Sequence, residues 1–301
     1  MKKTEQIQGV LDYIDQHIKE EITASQLAEL AHYSTYHFYK VFQQIVGYSV
    51  MGYVLKRKLQ YALYEIGQGE KIITVALEYG FETHAGFTKA FKRCFGSPPH
   101  LYRMHCPLSR PQRLDLQSLQ NKKTGGIVMQ PKIVVREAFS VAGMLFDNPI
   151  HDVTYTRDLP AFWSQRGLTD GSVETRLYAT LHPVKHGEYC INIKSSEDRF
   201  FYLFAVDLEE HVHVPSDMTK LTIPKATYAV FTTPLVPVQS FVDSIQGTWR
   251  YIIEEWLPHS PYEINEDTFD FEYYDEYCHD WDYDQIYMEI HLPINQKEAD
   301  N

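Results

Sequence analysis

At 301 residues, with 44% hydrophobic and 23% charged residues, the chain is too long for one small domain, suits two, and has a composition ordinary for soluble globular proteins. The net charge of −12 argues against a nucleic-acid partner only as an average: residues 1–123 hold 16 Lys+Arg against 11 Asp+Glu, a net of +5, and the remainder carries −17. No apolar signal core and no long uncharged apolar run occur, so neither export nor a membrane span is expected, and four cysteines without a CxxC pair suit reduced thiols better than a disulfide framework, which leaves a cytoplasmic protein as the expectation.

Ile7, Val10, Leu11, Ile14 and Ile18 recur at spacings of three and four and predict a helix over residues 5–18. Thr23-Ala-Ser-Gln26 is a capping-box pattern that starts a short helix through Ala31. Ser34 caps a helix that stops at Gly47, and Ser49 caps a longer one that ends at Gly67 and Gly69. A second short helix, Thr74 to Tyr79, closes on Gly80, and a second longer one runs from about His84 to Cys94 before Gly96 and Pro98-Pro99. Leu27-Ala28, Tyr33, Phe38, Phe42 and Gly47 are matched by Val75-Ala76, Phe81, Phe87, Phe91 and Gly96. Short helix, tight turn, longer helix, twice, is a duplicated helix-turn-helix, with glycine expected at both tight turns.

Residues 111–128 read as a linker ending in Lys-Lys-Thr-Gly-Gly. Beyond residue 129 the texture is β-rich: Ile133–Val135, Val141–Phe146, Tyr189–Ile193, Phe200–Val206 and Tyr228–Phe231 read as strands. An amphipathic helix spans about Val238 to Trp256, and short strands come next near Thr268–Tyr274 and Gln285–Leu292. The fold class is therefore multidomain: an all-α domain (1–110) with two helix-turn-helix units, then an α+β domain (129–295) of two βαββ-like halves with an antiparallel sheet.

In a helix-turn-helix the outer face of the second helix reads base edges in the major groove. In the first unit that face is Tyr36, Tyr39 and Lys40, where the lysine reaches guanine or phosphate and the tyrosines pack on thymine methyls or bond phosphate. In the second it is His84, Ala85, Thr88 and Lys89, with Lys92 and Arg93 near the helix end facing backbone. Lys56-Arg57-Lys58 is a charge run of the kind that is usually a solvated face.

Together with the closing run Gly80-Phe81 … Phe87 … Phe91-Lys92 … Phe95-Gly96-Ser97-Pro98-Pro99 … Tyr102-Arg103, these residues resemble the AraC/XylS family of transcription regulators over about residues 5–108. The resemblance implies seven helices, with two recognition helices in adjacent major grooves of double-stranded DNA, about 34 Å apart. Tyr39 and Lys40 stand where that family more usually has an amide and an arginine, so the operator does not carry across.

Further on, Leu221–Phe231, Trp249 … Trp256-Leu257-Pro258, Phe269–Tyr274 and Met288–Ile294 resemble the GyrI-like small-molecule-binding domain over about 129–295. The whole arrangement is similar to Rob-type regulators. The resemblance implies an activator role set by a small apolar, often cationic effector held in an aromatic cleft opposite a buried carboxylate. Glu289, between Met288 and Ile290, is the first choice for that carboxylate and Glu272 the second. Trp163, Tyr228, Trp256, Phe271 and Tyr287 are candidate walls. The alternative is that this domain docks a protein, such as RNA polymerase or gyrase, and takes no ligand. Residues 263–284, with ten acids and seven aromatics, read as a solvated acidic loop, a cation-selective mouth or a protein contact. His211-Val-His213 and Cys278-His279 would be the metal-ligating residues, but no metal or cofactor is expected, and without GxSxG, HExxH, a P-loop or GxGxxG no enzyme is expected either.

Overall fold

Side-chain caps set where the N-terminal helices begin. The structure, a computed structural model, describes residues 3–68, 70–106, 110–116, 129–148, 167–168, 171–196, 199–279 and 285–297. Helices α1 (Lys3–Gln16), α2 (Ala24–Leu30), α3 (Thr35–Val46), α4 (Val50–Gly67), α5 (Ile72–Glu78), α6 (His84–Phe95) and α7 (Pro99–His105) occur in that order. Thr23 and Gln26 form the reciprocal capping box at α2, while Ser34 and Ser49 cap α3 and α4. The chain divides into two compact units, residues 1–94 with 108–128, and residues 95–107 with 129–301, so α7 packs with the second unit although the sequence expectation placed the boundary at 110.

Within the first unit the duplication extends to individual bonds. Tyr33 N–H donates to Ala28 O at 2.9 Å, and Phe81 N–H donates to Ala76 O at 2.8 Å, so the chain leaves α2 and α5 by the same turn. That turn requires a left-handed residue. Gly80 supplies it at φ 83° in the second copy, but in the first the position is His32 at φ 58°, which corrects the expectation of glycine at both. Between the turn and the next helix the second copy has one extra residue: Ser34 caps α3, and the equivalent cap on α6 is Thr83, which accepts from Gly86 N–H at 2.9 Å. Phe38, Val41 and Phe42 of α3 and Phe87 and Phe91 of α6 point into the core, each 4% exposed or less.

Lys56-Arg57-Lys58 is not a solvated face at its centre. Arg57 is buried and clamps α4 to α1 through a two-pronged pair with Asp15 at 2.7 and 2.6 Å. Lys58 donates to Glu20 O and Lys56 to the Tyr48 hydroxyl. Part of the expected linker is also anchored: Arg113 pairs with Asp12 at 2.7 Å, Gln8 bonds both Leu114 O and Leu116 N–H, and Leu116 is buried. Its remainder, 117–128, lies outside the described residues.

The second unit is built on a nine-stranded sheet: β1 (Lys132–Arg136), β2 (Phe139–Asn148), β3 (Gly187–Ser196), β4 (Arg199–Asp207), β5 (Thr219–Ile223), β6 (Ala226–Thr232), β7 (Tyr262–Ile264), β8 (Phe271–Asp275) and β9 (Glu289–Gln296). All pairings are antiparallel, in the order β1-β6-β9-β8-β3-β4-β2-β5, with β7 added to β9. The order reads symmetrically outward from the β8–β3 pair. Each half contains a strand, a helix and two strands, as expected (β2, β3 and β4 in one, β6, β8 and β9 in the other), and each has a further strand before these that joins the outer edge of the other half: β1 pairs β6, and β5 pairs β2. The helices are α8 (Ser172–Leu181) and α9 (Phe241–Tyr251), the latter continued by a π turn, Ile252–Trp256, and a last turn, Leu257–His259. Part of the acidic stretch read as a loop is regular structure: Glu263 and Ile264 lie in β7, 271–275 form β8 and Glu276–His279 make a helical turn; residues 280–284 lie outside the described residues. His211 and His213 sit in the connection between β4 and β5, not on a strand.

The left-handed positions give a stability test. Gly80→Ala is expected to lower stability by about 1–2 kcal/mol, and His32→Gly to leave it unchanged or raise it by up to about 1 kcal/mol, since relief of strain competes with added chain entropy. Urea midpoints of both variants check this; a His32→Gly loss as large as that of Gly80→Ala would refute the strain argument.

Candidate functional site

The two long helices of the helix-turn-helix pairs present outer faces at equivalent positions. Because α3 and α6 are related by 49 residues, Tyr36 corresponds to Ala85, Tyr39 to Thr88 and Lys40 to Lys89. Tyr36 is 73% exposed and Tyr39 42%, unusual for rings and consistent with surfaces built to meet something. Lys40 Nζ lies 4.6 Å from the Tyr36 ring centroid, so the cation is held over an aromatic face. In the second copy His84, Ala85, Lys89, Lys92 and Arg93 are exposed and Thr88 is half-buried.

In the second unit, the alternation of side chains along each strand collects aromatic residues on one face of the sheet. Tyr189 and Ile191 of β3, Tyr228 and Val230 of β6, Phe271 of β8 and Leu203 and Ala205 of β4 form its buried floor. Phe139 and Tyr273 pack at its half-buried rim. The Phe271 ring lies 5.4 Å from both Tyr189 and Tyr228, and the His291 imidazole stacks on it at 4.5 Å. Arg136, last residue of β1, sets its guanidinium 4.6 Å from the Phe139 centroid and 5.3 Å from that of Phe271.

Of the residues singled out from the sequence, this face unites Tyr228, Phe271 and Glu289. Glu289 is half-buried and accepts from His291 Nε2 at 3.0 Å; that bond, partly opposed by burial, holds its carboxyl below the usual range. Burial pushes the His291 imidazole down, so near neutral pH the pair is a carboxylate and a neutral ring.

Glu272 and Trp256 belong to the opposite side. Glu272 lies between Phe271 and Tyr273 in a pleated strand, so it faces the helices. Its Oε1 accepts from Trp249 Nε1 at 2.8 Å and its Oε2 from the Tyr274 hydroxyl at 3.0 Å. Trp256 meets Phe231 edge-on at 5.0 Å and stacks on Tyr262. Neither therefore lies on the aromatic face with Tyr228, Phe271 and Glu289. Tyr287 donates to Asp275 at 3.2 Å, beyond the end of the aromatic cluster, and Trp163 lies outside the described residues. Sequence reasoning missed Arg136, Phe139, Tyr189, Tyr273 and His291; the last three lie in expected strands and the first two just outside them, at the ends of β1 and β2, and only the register shows that they share a face.

The helix side of β8 holds α7. The His105 imidazole is sandwiched 3.6 Å from the Trp249 ring, with Nε2 2.9 Å from Asp270 and Nδ1 4.0 Å from Glu272. Tyr102 adds a 2.5 Å bond to Glu254 in the π turn. For a metal, one grouping among the described residues has suitable spacing: Glu174, His186 and Glu188, whose ligand atoms lie within 4.8 Å of one another. Tyr178 donates to Glu188 at 2.6 Å and stacks on His186.

Residues 132–294 match the family described as integron-associated effector binding protein, and residues 27–105 match a helix-turn-helix domain family. The chain belongs to the integron-associated effector-binding family, with an AraC-type helix-turn-helix domain ahead of it. The AraC-type part is 31% identical over 99 residues to the multiple antibiotic resistance protein MarA of Escherichia coli (strain K12), which covers 33% of this chain and 78% of that protein. An uncharacterized HTH-type transcriptional regulator of Bacillus subtilis (strain 168), YbfP, is 32% identical over 124 residues, 41% of each chain. The right origin-binding protein of E. coli (strain K12) is 25% identical over 155 residues, half of this chain and 54% of that one. The match thus spans well under two thirds of both YbfP and the right origin-binding protein. Among the described residues no helix of this AraC-type chain is long and apolar enough to cross a membrane.

Acid should loosen the second unit through α7. Burial, reinforced by Lys194, pushes the His100 imidazole down from 6.5 to about 4. The unfolded chain therefore takes up this proton first as pH falls, and stability that is full above about pH 6.5 is lost toward pH 4. Between pH 7.5 and 4.5 wild type should lose roughly 2 kcal/mol more than His100→Gln. Urea melts at the two pH values check this, and equal acid losses would refute it.

Proposed function

We propose that this protein is an effector-responsive, sequence-specific transcription regulator that acts in the cytoplasm and is not an enzyme. The observation that carries the reading is the pair of outer faces at equivalent positions on α3 and α6, joined in one chain to a domain of the effector-binding family. Double-stranded DNA is the partner that suits two such faces, one in each of two adjacent major grooves. Tyr36, Tyr39 and Lys40 would read bases in one groove; His84, Ala85, Thr88 and Lys89 in the next; Lys92 and Arg93 would grip phosphate. The local net charge of +5 over residues 1–123 supports this against an overall −12.

The effector would lie against the aromatic face over Phe271, Tyr228 and Tyr189, with Glu289 beside it. Coupling requires that it bind one state of the protein more tightly than another. Strand β8 is suited to that task. Its Phe271 and Tyr273 belong to the aromatic face, and its Glu272, with Asp270, belongs to the grip on His105. The α7 segment so held comes after α6, the second recognition helix, with only Gly96, Ser97 and Pro98 between them. Promoter activation is the role that the AraC-type resemblance implies, with contact to RNA polymerase as the route.

Selection of bound fragments from a random DNA pool with the full chain tests the DNA reading. A selected site should be bound with loss of roughly 1–3 kcal/mol on Lys89→Ala at one or two base positions, whereas Lys92→Ala should weaken all sequences alike and lower the salt slope by about one. Failure to enrich any sequence at modest salt would sink the regulator reading. Once a ligand is in hand, His105→Ala should leave its affinity within about twofold and abolish its effect on DNA binding; an undiminished effect would remove β8 and α7 from the coupling.

A further inference from the structure

The aromatic face already carries a cation of its own. Arg136 rests over Phe139 and Phe271, with Tyr189 6.0 Å away, and so occupies the place that the family resemblance would reserve for a positively charged ligand. Its Nη2 donates to the Tyr189 hydroxyl at a long 3.3 Å, and among the described residues no carboxylate comes within ion-pair distance of it. A guanidinium has five N–H donors, so most of them are left for a further acceptor. Its charge favours the ionised form of both nearby acids, Glu289 and Asp207, yet each hydrogen-bonds elsewhere. Glu289 accepts from His291 at 3.0 Å, and Asp207 accepts from the Tyr189 hydroxyl at 3.1 Å.

We propose, resting on the effector reading above, that the ligand is a planar aromatic or fused-ring carboxylate, with Arg136 as its charge partner and the rim rings Phe139 and Tyr273 as its apolar walls. A guanidinium over aromatic faces has its π surfaces satisfied by the rings and presents its N–H edge, the geometry that a carboxylate meets with two parallel bonds. An organic cation would have to expel Arg136 from the rings and leave two like charges close together in a half-buried site. A neutral ligand would cover the rings but leave the guanidinium donors without an acceptor. A second atom is short of a partner on the same face: His291, 5% exposed, uses Nε2 for Glu289 and leaves a buried Nδ1 without one.

Calorimetry and thermal shift on the full chain with three probes of one shape, 2-naphthoate, 2-naphthylmethanol and 2-naphthylmethyl-trimethylammonium, test the charge assignment. Naphthoate is expected to bind about tenfold or more tighter than the ammonium probe, and Arg136→Gln to cut naphthoate affinity by about tenfold while leaving the alcohol within about twofold. If the ammonium probe binds wild type as well as naphthoate does, the carboxylate proposal fails and the effector reading stands. If no probe shifts or binds wild type, both fail together. The wild-type comparison decides the point even where Arg136→Gln does not fold, and Arg136→Lys, which keeps the charge but not the fork, should recover only part of the preference for naphthoate.

Discussion

The two-residue period of a β-strand governs the second unit. Along β8, Phe271 and Tyr273 go to one side of the sheet and Glu272 and Tyr274 to the other, so five consecutive residues serve two environments of opposite character. On one side rings stack on rings and on His291. On the other a carboxylate is held by an indole N–H and a phenol, beside an imidazole lying flat on Trp249. A displacement of β8 along its own axis cannot be felt on one face only, because its pairing to β3 and β9 moves both sets of side chains together.

The first unit obeys a different constraint. Its two copies must each leave a short helix and enter a longer one at a steep angle within a few residues, and a left-handed residue with a six-to-one hydrogen bond is the economical way to do so. One copy uses glycine and the other tolerates a histidine there, so the turn geometry is kept where the residue type is not. The apolar faces of α3 and α6 then bury phenylalanines in equivalent places, which leaves their outer faces free to differ: two tyrosines and a lysine in one, a histidine, small residues and a lysine in the other.

Much of this is legible in the sequence because it is local. Helix starts at Thr23, Ser34 and Ser49 depend on a side chain and a backbone N–H three residues away, and the inward phenylalanines obey helical spacing. The charge run 56–58 misled, since nothing local reveals that Asp15 lies 42 positions earlier and opposite Arg57. Glu272 misled for a related reason. A carboxylate flanked by aromatic residues looks like part of an aromatic site, whereas in a pleated strand its neighbours are the residues certain to point away from it.

The amino-acid sequence by itself determined the duplicated helical frame, the outward residues of its two recognition helices and the α+β character of the chain beyond residue 129, because periodicity and capping act over a few residues. Only the tertiary structure decided which side chains share the aromatic face. Arg136, Tyr189, Tyr228, Phe271 and His291 come from five strands whose order is not their order in the chain, and β1 and β5 each cross to the edge of the other half. Strand register between such distant segments is set by the collective burial of the sheet, and no short-range pattern encodes it.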